Sequence, residues 1–330
     1  MPISGPSSYG PTLNQFVPHW EAVNTALGAG GPLILRNPNG IVPPTLNRAN
    51  LVAMRTELTN LHTDIQGQIN TVELATAVLR TMKDDLHLRA GQFNDKVRGP
   101  LGNTPFAAAL PLLPTPTDGM GVFIPPLDDI ATLWTKLNAA ADISGFTPPL
   151  LLLDAYPLAD FAAALALLKT QFELVAKEEL GLTLKIGERN TLQNLIYPVL
   201  KAYRQTVPTY FAANSSLVSS MPRLTPEPGS TPDGVIANGL WNIPTTQGKL
   251  TWDASTAPDL DEYEVRWSPG LTYNSANEVV LANIAKDAPR EFFTTQGLGA
   301  IDDESVFKIY VKTTTGNERG SNTVKIKRTT

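Results

Sequence analysis

Pro258-Asp259-Leu260-Asp261-Glu262-Tyr263-Glu264-Val265-Arg266-Trp267 decides how the last third of this chain folds. From Tyr263 onward the apolar side chains fall at every second position, the mark of an extended segment with one buried face. The alternation returns in Leu250-Thr251-Trp252 and in Phe307-Lys308-Ile309-Tyr310-Val311-Lys312-Thr313. A turn, Thr315-Gly316-Asn317-Glu318-Arg319-Gly320-Ser321, leads into Asn322-Thr323-Val324-Lys325-Ile326-Lys327. Strands near 263–268, 278–284, 290–295, 307–314 and 322–327 follow one another at the spacing of a β-sandwich.

Upstream the period changes. Leu51, Met54, Leu58, Leu61, Ile65, Gln68, Val72, Ala75, Leu79, Met82, Leu86, Arg89 and Phe93 step by three and four, with Gln68 and Arg89 as the polar exceptions. That is the seam of one helix packing lengthwise, about 65 Å long at a rise of 1.5 Å per residue. Gly67 and Gly91 are its weak points, each costing about 1 kcal/mol relative to Ala. Pro157 suits the first turn of a second helix, striped by Leu158, Phe161, Leu165, Leu168, Phe172 and Val175 and ending near Gly181. Shorter helices are predicted over 128–141 and over 190–206, the latter kinked at Pro198. Their stripes are read as core, with part of the long seam available to another chain.

The sequence therefore predicts a multidomain α plus β protein. Residues 1–46 form an extended N-terminal arm with a short helix. Residues 47–220 form an elongated antiparallel helical bundle, and the Pro-rich stretch 221–232 is a semi-rigid linker. Residues 233–330 form an immunoglobulin-like sandwich. Connections 28–46 and 99–126 are rich in Gly and Pro, and irregular segments that long are uncommon unless functional or disordered.

The C-terminal strands resemble the fibronectin type III family over residues 233–330. Trp252 falls where the family has its core tryptophan on the second strand, and Leu298 where it has a leucine before the sixth. Phe307 stands in place of the family's corner tyrosine, so that hydroxyl's hydrogen bond is missing. The resemblance implies binding or spacing between surfaces, with no catalytic residues to carry over. It makes the loops candidate interaction sites, here presenting Asp259, Asp261, Asn317, Glu318 and Arg319.

Composition narrows the function further. Charged residues make up 17% of the 330 positions against 42% hydrophobic, and there are 28 prolines, a thin charge supply beside the usual quarter or so. Residues 1–220 hold 15 Lys and Arg against 17 Asp and Glu, and residues 221–330 hold 11 against 14. Neither part is a basic footprint, so nucleic acid is not a predicted partner. With no cysteine, disulfides, thiolate metal sites and a cysteine nucleophile are excluded. Met1-Pro2-Ile3-Ser4 lacks the charged and apolar regions of a secretory signal. The uncharged run 99–117 is too rich in proline to span a membrane. An extracellular or particle-associated location is preferred over the cytoplasm.

Chemistry-bearing motifs are sparse. The three histidines, His19, His62 and His87, offer no metal-pair spacing, and His19 reads as structural. Gly28-Ala29-Gly30-Gly31 lacks the Lys-Ser/Thr of a phosphate loop. Asp84-Asp85, Asp128-Asp129 and Glu178-Glu179 are sequence neighbours that diverge on a helix. Asp253, Asp259, Asp261 and Glu262 carry calcium-type oxygens, but their role as turn formers is preferred. No cofactor and no catalytic activity are predicted. The favoured function is a structural protein that self-associates into an oligomer, filament or surface layer through its sandwich and its arm. The alternative is a glycan- or protein-binding module on a helical stalk, with Trp241, Trp267 and Tyr273 as candidates for an aromatic platform, although the alternation reads Trp267 as core.

Overall fold

The computed structural model describes residues 3–40, 43–140, 143, 146–225 and 231–329. It is an α plus β protein, with long helices in the N-terminal two-thirds and antiparallel sheets after them. Element order is α1 (Tyr9–Leu27), β1 (Leu35–Arg36), β2 (Thr45–Leu46), α2 (Arg48–Arg98), α3 (Pro105–Ala108), α4 (Met120–Ala139), α5 (Leu158–Thr206) and α6 (Ser216–Ser219). The sheet region follows as β3 (Ala237–Asn242), β4 (Gln247–Trp252), β5 (Leu260–Ser268), β6 (Val279–Ala285), β7 (Glu291–Thr294), β8 (Glu304–Thr313), β9 (Glu318–Gly320) and β10 (Val324–Lys327).

Packing divides the chain into two compact units. The first takes the N-terminal segment to Gly67, Leu182–Leu298 and Asp303–Thr330; the second takes Gln68–Gly181 and Gly299–Asp302. Division by packing thus falls within α2 and α5, at Gly67 and Gly181. Residues 226–230 of the Pro-rich stretch 221–232 lie outside the described residues. Its beginning is packed: Leu224 joins the first unit's helical core, and the Ile3 amide donates to the Leu224 carbonyl at 3.0 Å.

The helices differ from expectation in length. In place of an extended arm, α1 runs for 19 residues and buries Leu13, Phe16, Val17, Trp20 and Val23 along one side. Pro18 does not break it because that residue faces outward, where the carbonyl it leaves unpaired meets water. The two helices expected over 157–181 and 190–206 are one helix of 49 residues, α5, which passes through Gly181, Gly187 and Pro198. Burial of Leu182, Ile186, Leu192 and Ile196 outweighs the helix-breaking cost. Gly181 also has a use. A β-carbon there would stand 3.1 Å from Gln68 Nε2, and that amide donates to the Glu178 carboxylate at 2.7 Å and to its carbonyl at 3.0 Å. Segment 28–46 is not wholly irregular, since β1 and β2 pair antiparallel with Leu35 opposite Leu46. Pro125 and Pro126, expected in a connection, lie inside α4.

In the first unit, α1, the start of α2 and the end of α5 close on Tyr203, whose ring lies 4.7 Å from Trp20 and 5.8 Å from Phe16. His19 is structural there. Its Nδ1 accepts from the Tyr203 hydroxyl at 2.7 Å, and its Nε2 donates to the Leu217 carbonyl at 2.9 Å. In the second unit, Phe93, Trp134 and Phe161 stack at 5.2 and 5.8 Å, and the Trp134 indole donates to the Leu150 carbonyl. Along the seam of α2, Leu51, Leu58, Leu61, Ile65, Ala75, Leu79, Leu86 and Phe93 are buried, and Met54, Val72 and Met82 are half-buried. Arg89, its second polar member, stacks on Tyr156 at 4.4 Å.

The sheets form two antiparallel layers. One has the order β10-β8-β5-β6 with β9 added to β8, the other β3-β4-β7. Trp252 of β4 meets Tyr263 of β5 across the gap at 5.8 Å, among buried Leu250, Val265, Phe307, Ile309 and Val311. Alternation dictates this, because the odd-numbered apolar residues of β5 all point to the opposing sheet.

Candidate functional site

The same alternation puts Glu262, Glu264 and Arg266 on the other face of β5. Register brings β8 alongside, with Glu262 opposite Lys312, Glu264 opposite Tyr310 and Arg266 opposite Lys308. Such a face is normally wet. Here it is covered within the first unit by the N-terminal segment and by α5, and Glu264, Arg266 and Lys312 are buried.

Arg266 is the centre, and its side chain is 1% exposed. Its Nε donates to Glu264 at 2.7 Å, its Nη1 to Glu278 at 2.8 Å and its Nη2 to Glu318 at 2.6 Å. Its guanidinium plane lies 3.8 Å from the centre of the Tyr310 ring. Lys312 donates to Glu262 at 2.7 Å and to Glu264 at 2.5 Å. The second oxygen of Glu278 accepts from Tyr273 at 2.6 Å and from Tyr310 at 3.2 Å. Ser7 donates to Glu264 at 3.1 Å, and Arg189 of α5 donates to the Glu278 carbonyl at 2.8 Å. Gly5 completes the cover: a β-carbon there would stand 3.0 Å from Arg266 Nη1.

These contacts set the charge states. Burial alone would raise the Glu264 carboxyl, but Arg266 and then Lys312 hold it below the ordinary range. Burial opposes the charge on Arg266 and Lys312 too, yet their carboxylate partners raise both. Burial, then Glu278, pushes the Tyr310 hydroxyl up to about 12. Four carboxylates, Glu262, Glu264, Glu278 and Glu318, meet the cations Arg266, Lys312 and Arg189, with Lys308 on the same face beside Tyr273.

The loop residues singled out in the sequence fall into three groups. Asp259 and Asn317 come together at one turn: the Asp259 carbonyl accepts from the Thr314 amide at 2.9 Å, and its carboxylate from Thr315 at 3.3 Å. Asn317 is buried, its carbonyl accepting from the Thr313 amide at 3.0 Å, and Gly316 takes the positive φ of 82°. Both residues build the turn. Glu318 points inward to Arg266, while Asp261 and Arg319 stand exposed. Arg266, Glu264, Glu278 and Lys312 were not singled out in the sequence. For Glu264 and Arg266 the only signal was opposite charge at alternate positions of β5, which reads equally well as a solvated face.

No family model and no curated protein matches this chain. Among solved structures, 28% of it is similar to the pectate lyase Pel3 from Pectobacterium carotovorum, at 14% identity and a TM-score of 0.24. The chain spans 27% of that enzyme's length. It is also similar over 32% of its length to an Fn3-like protein from Clostridium thermocellum, at 17% identity and a TM-score of 0.23, spanning 95% of that protein. Neither likeness is close enough to speak for this chain's chemistry. Fold and site together define a protein of long helices with two packed antiparallel sheets, joined within the first unit by a buried ionic cluster. Among the described residues no helix is long and apolar enough to cross a membrane.

Proposed function

We propose that this chain is a non-enzymatic structural protein that self-associates, with its C-terminal sandwich, of the fibronectin type III kind, as an interaction module. The observation that carries the reading lies on the helices of the second unit. Opposite the buried seam, α2 exposes Leu74 (70%), Val78 and Leu88 (56%), and α5 exposes Leu167 (62%), Leu174 and Leu180. Leu74 to Leu88 spans two heptads, and Leu167 to Leu174 one, so each of these pairs returns to one side of its helix, while Leu180 lies off the side that Leu167 and Leu174 share. Repeated large apolar side chains in water mark a surface made to be covered. Two further features support the module. Its two antiparallel sheets, β3-β4-β7 and β6-β5-β8-β10, fit the sandwich that the family resemblance implies. Its buried carboxylates are each tied to cations or hydroxyls, which suits holding rather than turnover.

The aromatic residues a glycan platform would use are turned inward: Trp241 and Trp267 are buried, and Tyr273 is bonded to Glu278. Assembly is therefore preferred over glycan binding. Light scattering on the full chain tests it, with a mass above one chain expected. A single-chain mass at every accessible concentration overturns it.

A further inference from the structure

The second unit carries a face that its own chain leaves open. The Gln171 side-chain amide donates to the Ala75 carbonyl at 2.8 Å, and the Gln68 amide to the Glu178 carbonyl at 3.0 Å. Helices α2 and α5 therefore run antiparallel there, with Val78 level with Leu168. On both helices the exposed apolar positions stand one residue before the buried ones: Leu74 and Val78 before Ala75 and Leu79, Leu167 before Leu168. In an antiparallel pair the same shift turns both stripes to one side. We infer that this side is the contact between two copies of the chain, closed about a two-fold axis with the two α5 helices antiparallel; the inference rests on the assembly reading and gives it an interface.

Charge names the partner. The outward stripe of α5 is Asp160, Ala163, Leu167, Thr170, Leu174 and Lys177, stepping by three and four, and every member is exposed. Its only charges stand at its two ends and are opposite in sign. Laid antiparallel on a second copy about a midpoint between Leu167 and Thr170, the stripe sets Leu167 against Thr170, Ala163 against Leu174 and Asp160 against Lys177, each contact made twice. A parallel arrangement would set like charge on like, which an interface avoids. Among the described residues Asp160 makes no ion pair, and Lys177 reaches only Glu178, at 3.9 Å. The same axis crosses α2 between Ala77 and Val78. The outward stripe there, Thr71, Leu74, Val78 and Thr81, is exposed and uncharged, and Asp84 beyond it falls level with Thr71 of the second copy. From Asp160 to Lys177 the face is about 25 Å long, and about 20 Å wide across two helices. Two copies would cover about 1,000 Å² in all, the lower limit of a specific interface, which fits an association that dilution reverses.

The test is charge reversal with rescue, read by light scattering of the full chain across a dilution series, with the helical spectrum followed in parallel. The native chain is expected at an even multiple of the single-chain mass. Asp160→Lys and Lys177→Asp each turn two attractions into repulsions at exposed helix positions. Each should raise the midpoint concentration of assembly about tenfold, an effect that fades in about 1 M salt. Both substitutions together restore opposite signs and should return the midpoint to within about twofold of native. A midpoint unmoved by either single reversal, no recovery in the double variant, or an odd multiple of the mass would overturn this interface and leave the assembly reading standing. A single-chain mass at every accessible concentration would overturn both.

Discussion

Replacing Arg266 with Met is the sharpest perturbation of the ionic cluster. The methionine keeps apolar contact with Tyr310 but leaves Glu264, Glu278 and Glu318 without the guanidinium that binds all three at 2.6–2.8 Å. Removing one partner from a buried ionic group costs about 3–5 kcal/mol, because the remaining charge has been dehydrated for nothing. Lys312 still serves Glu264, so the lower half of that range is expected. That is a large part of a typical stability of about 5–15 kcal/mol. Denaturant titration gives the magnitude, and pH gives the mechanism. In the native protein Arg266 and Lys312 hold Glu264 below its ordinary pKa. Its contribution is therefore full above the ordinary carboxylate range, near 4.3, and is lost as pH falls through the lower folded value. In the variant Glu264 has lost the larger of the two cations that favour its charge, so burial weighs more against its ionised form and acid relieves part of the penalty. The gap between the two proteins should narrow as pH drops from 7 toward 4. A loss under 1 kcal/mol, or a gap independent of pH, would refute the ionic account of this joint.

Other outcomes follow from the same packing. Leu61→Ala in the α2 seam should cost about 2–5 kcal/mol in denaturant titration; a value under 1 would mean that the side chain is not enclosed. A fragment of residues 233–330 should give a β-rich spectrum and a cooperative melt, but at a lower temperature than the sheets show in the full chain, because Ser7, Arg189 and the Gly5 segment no longer cover Arg266. A non-cooperative fragment would argue that the sandwich needs the helices to fold. Burial lowers the pKa of both His19 and His62, and Arg189 adds to the effect at His62. Their contribution to stability is present above the unfolded value near 6.5 and lost as pH falls through the folded values. His19→Gln should flatten that part of the stability profile, and an unchanged slope would remove His19 from it.

The sequence makes the sheets legible because period-two alternation is local: β5, β6, β7, β8 and β10 lie within a few residues of the expected strands. The buried seam of α2 is legible for the same reason. Three things are not. Gly181 and Pro198 look like helix ends because local propensity opposes a helix there, and only tertiary burial of Ile186 and Ile196 overrides it. The first 27 residues look like an arm because Gly, Ser and Pro at the start distract from the Leu13-Phe16-Trp20-Val23 stripe behind them. The ionic cluster is hidden most deeply. Glu264, Arg266 and Lys312 alternate with core residues as solvent-facing charges do, and nothing local announces that residues 5–7 and Arg189 will cover them.

Assembly is the central claim, and the mass of the full chain in solution measures it most directly. Multi-angle light scattering should return an integer multiple of the single-chain mass. Glu substitutions at Leu167 and Leu174 together should lower that multiple, with the helical spectrum unchanged, since both side chains already lie toward water in the isolated chain. A native protein of single-chain mass up to the highest soluble concentration would contradict the account, and an assembly untouched by the double substitution would move its interface off α5.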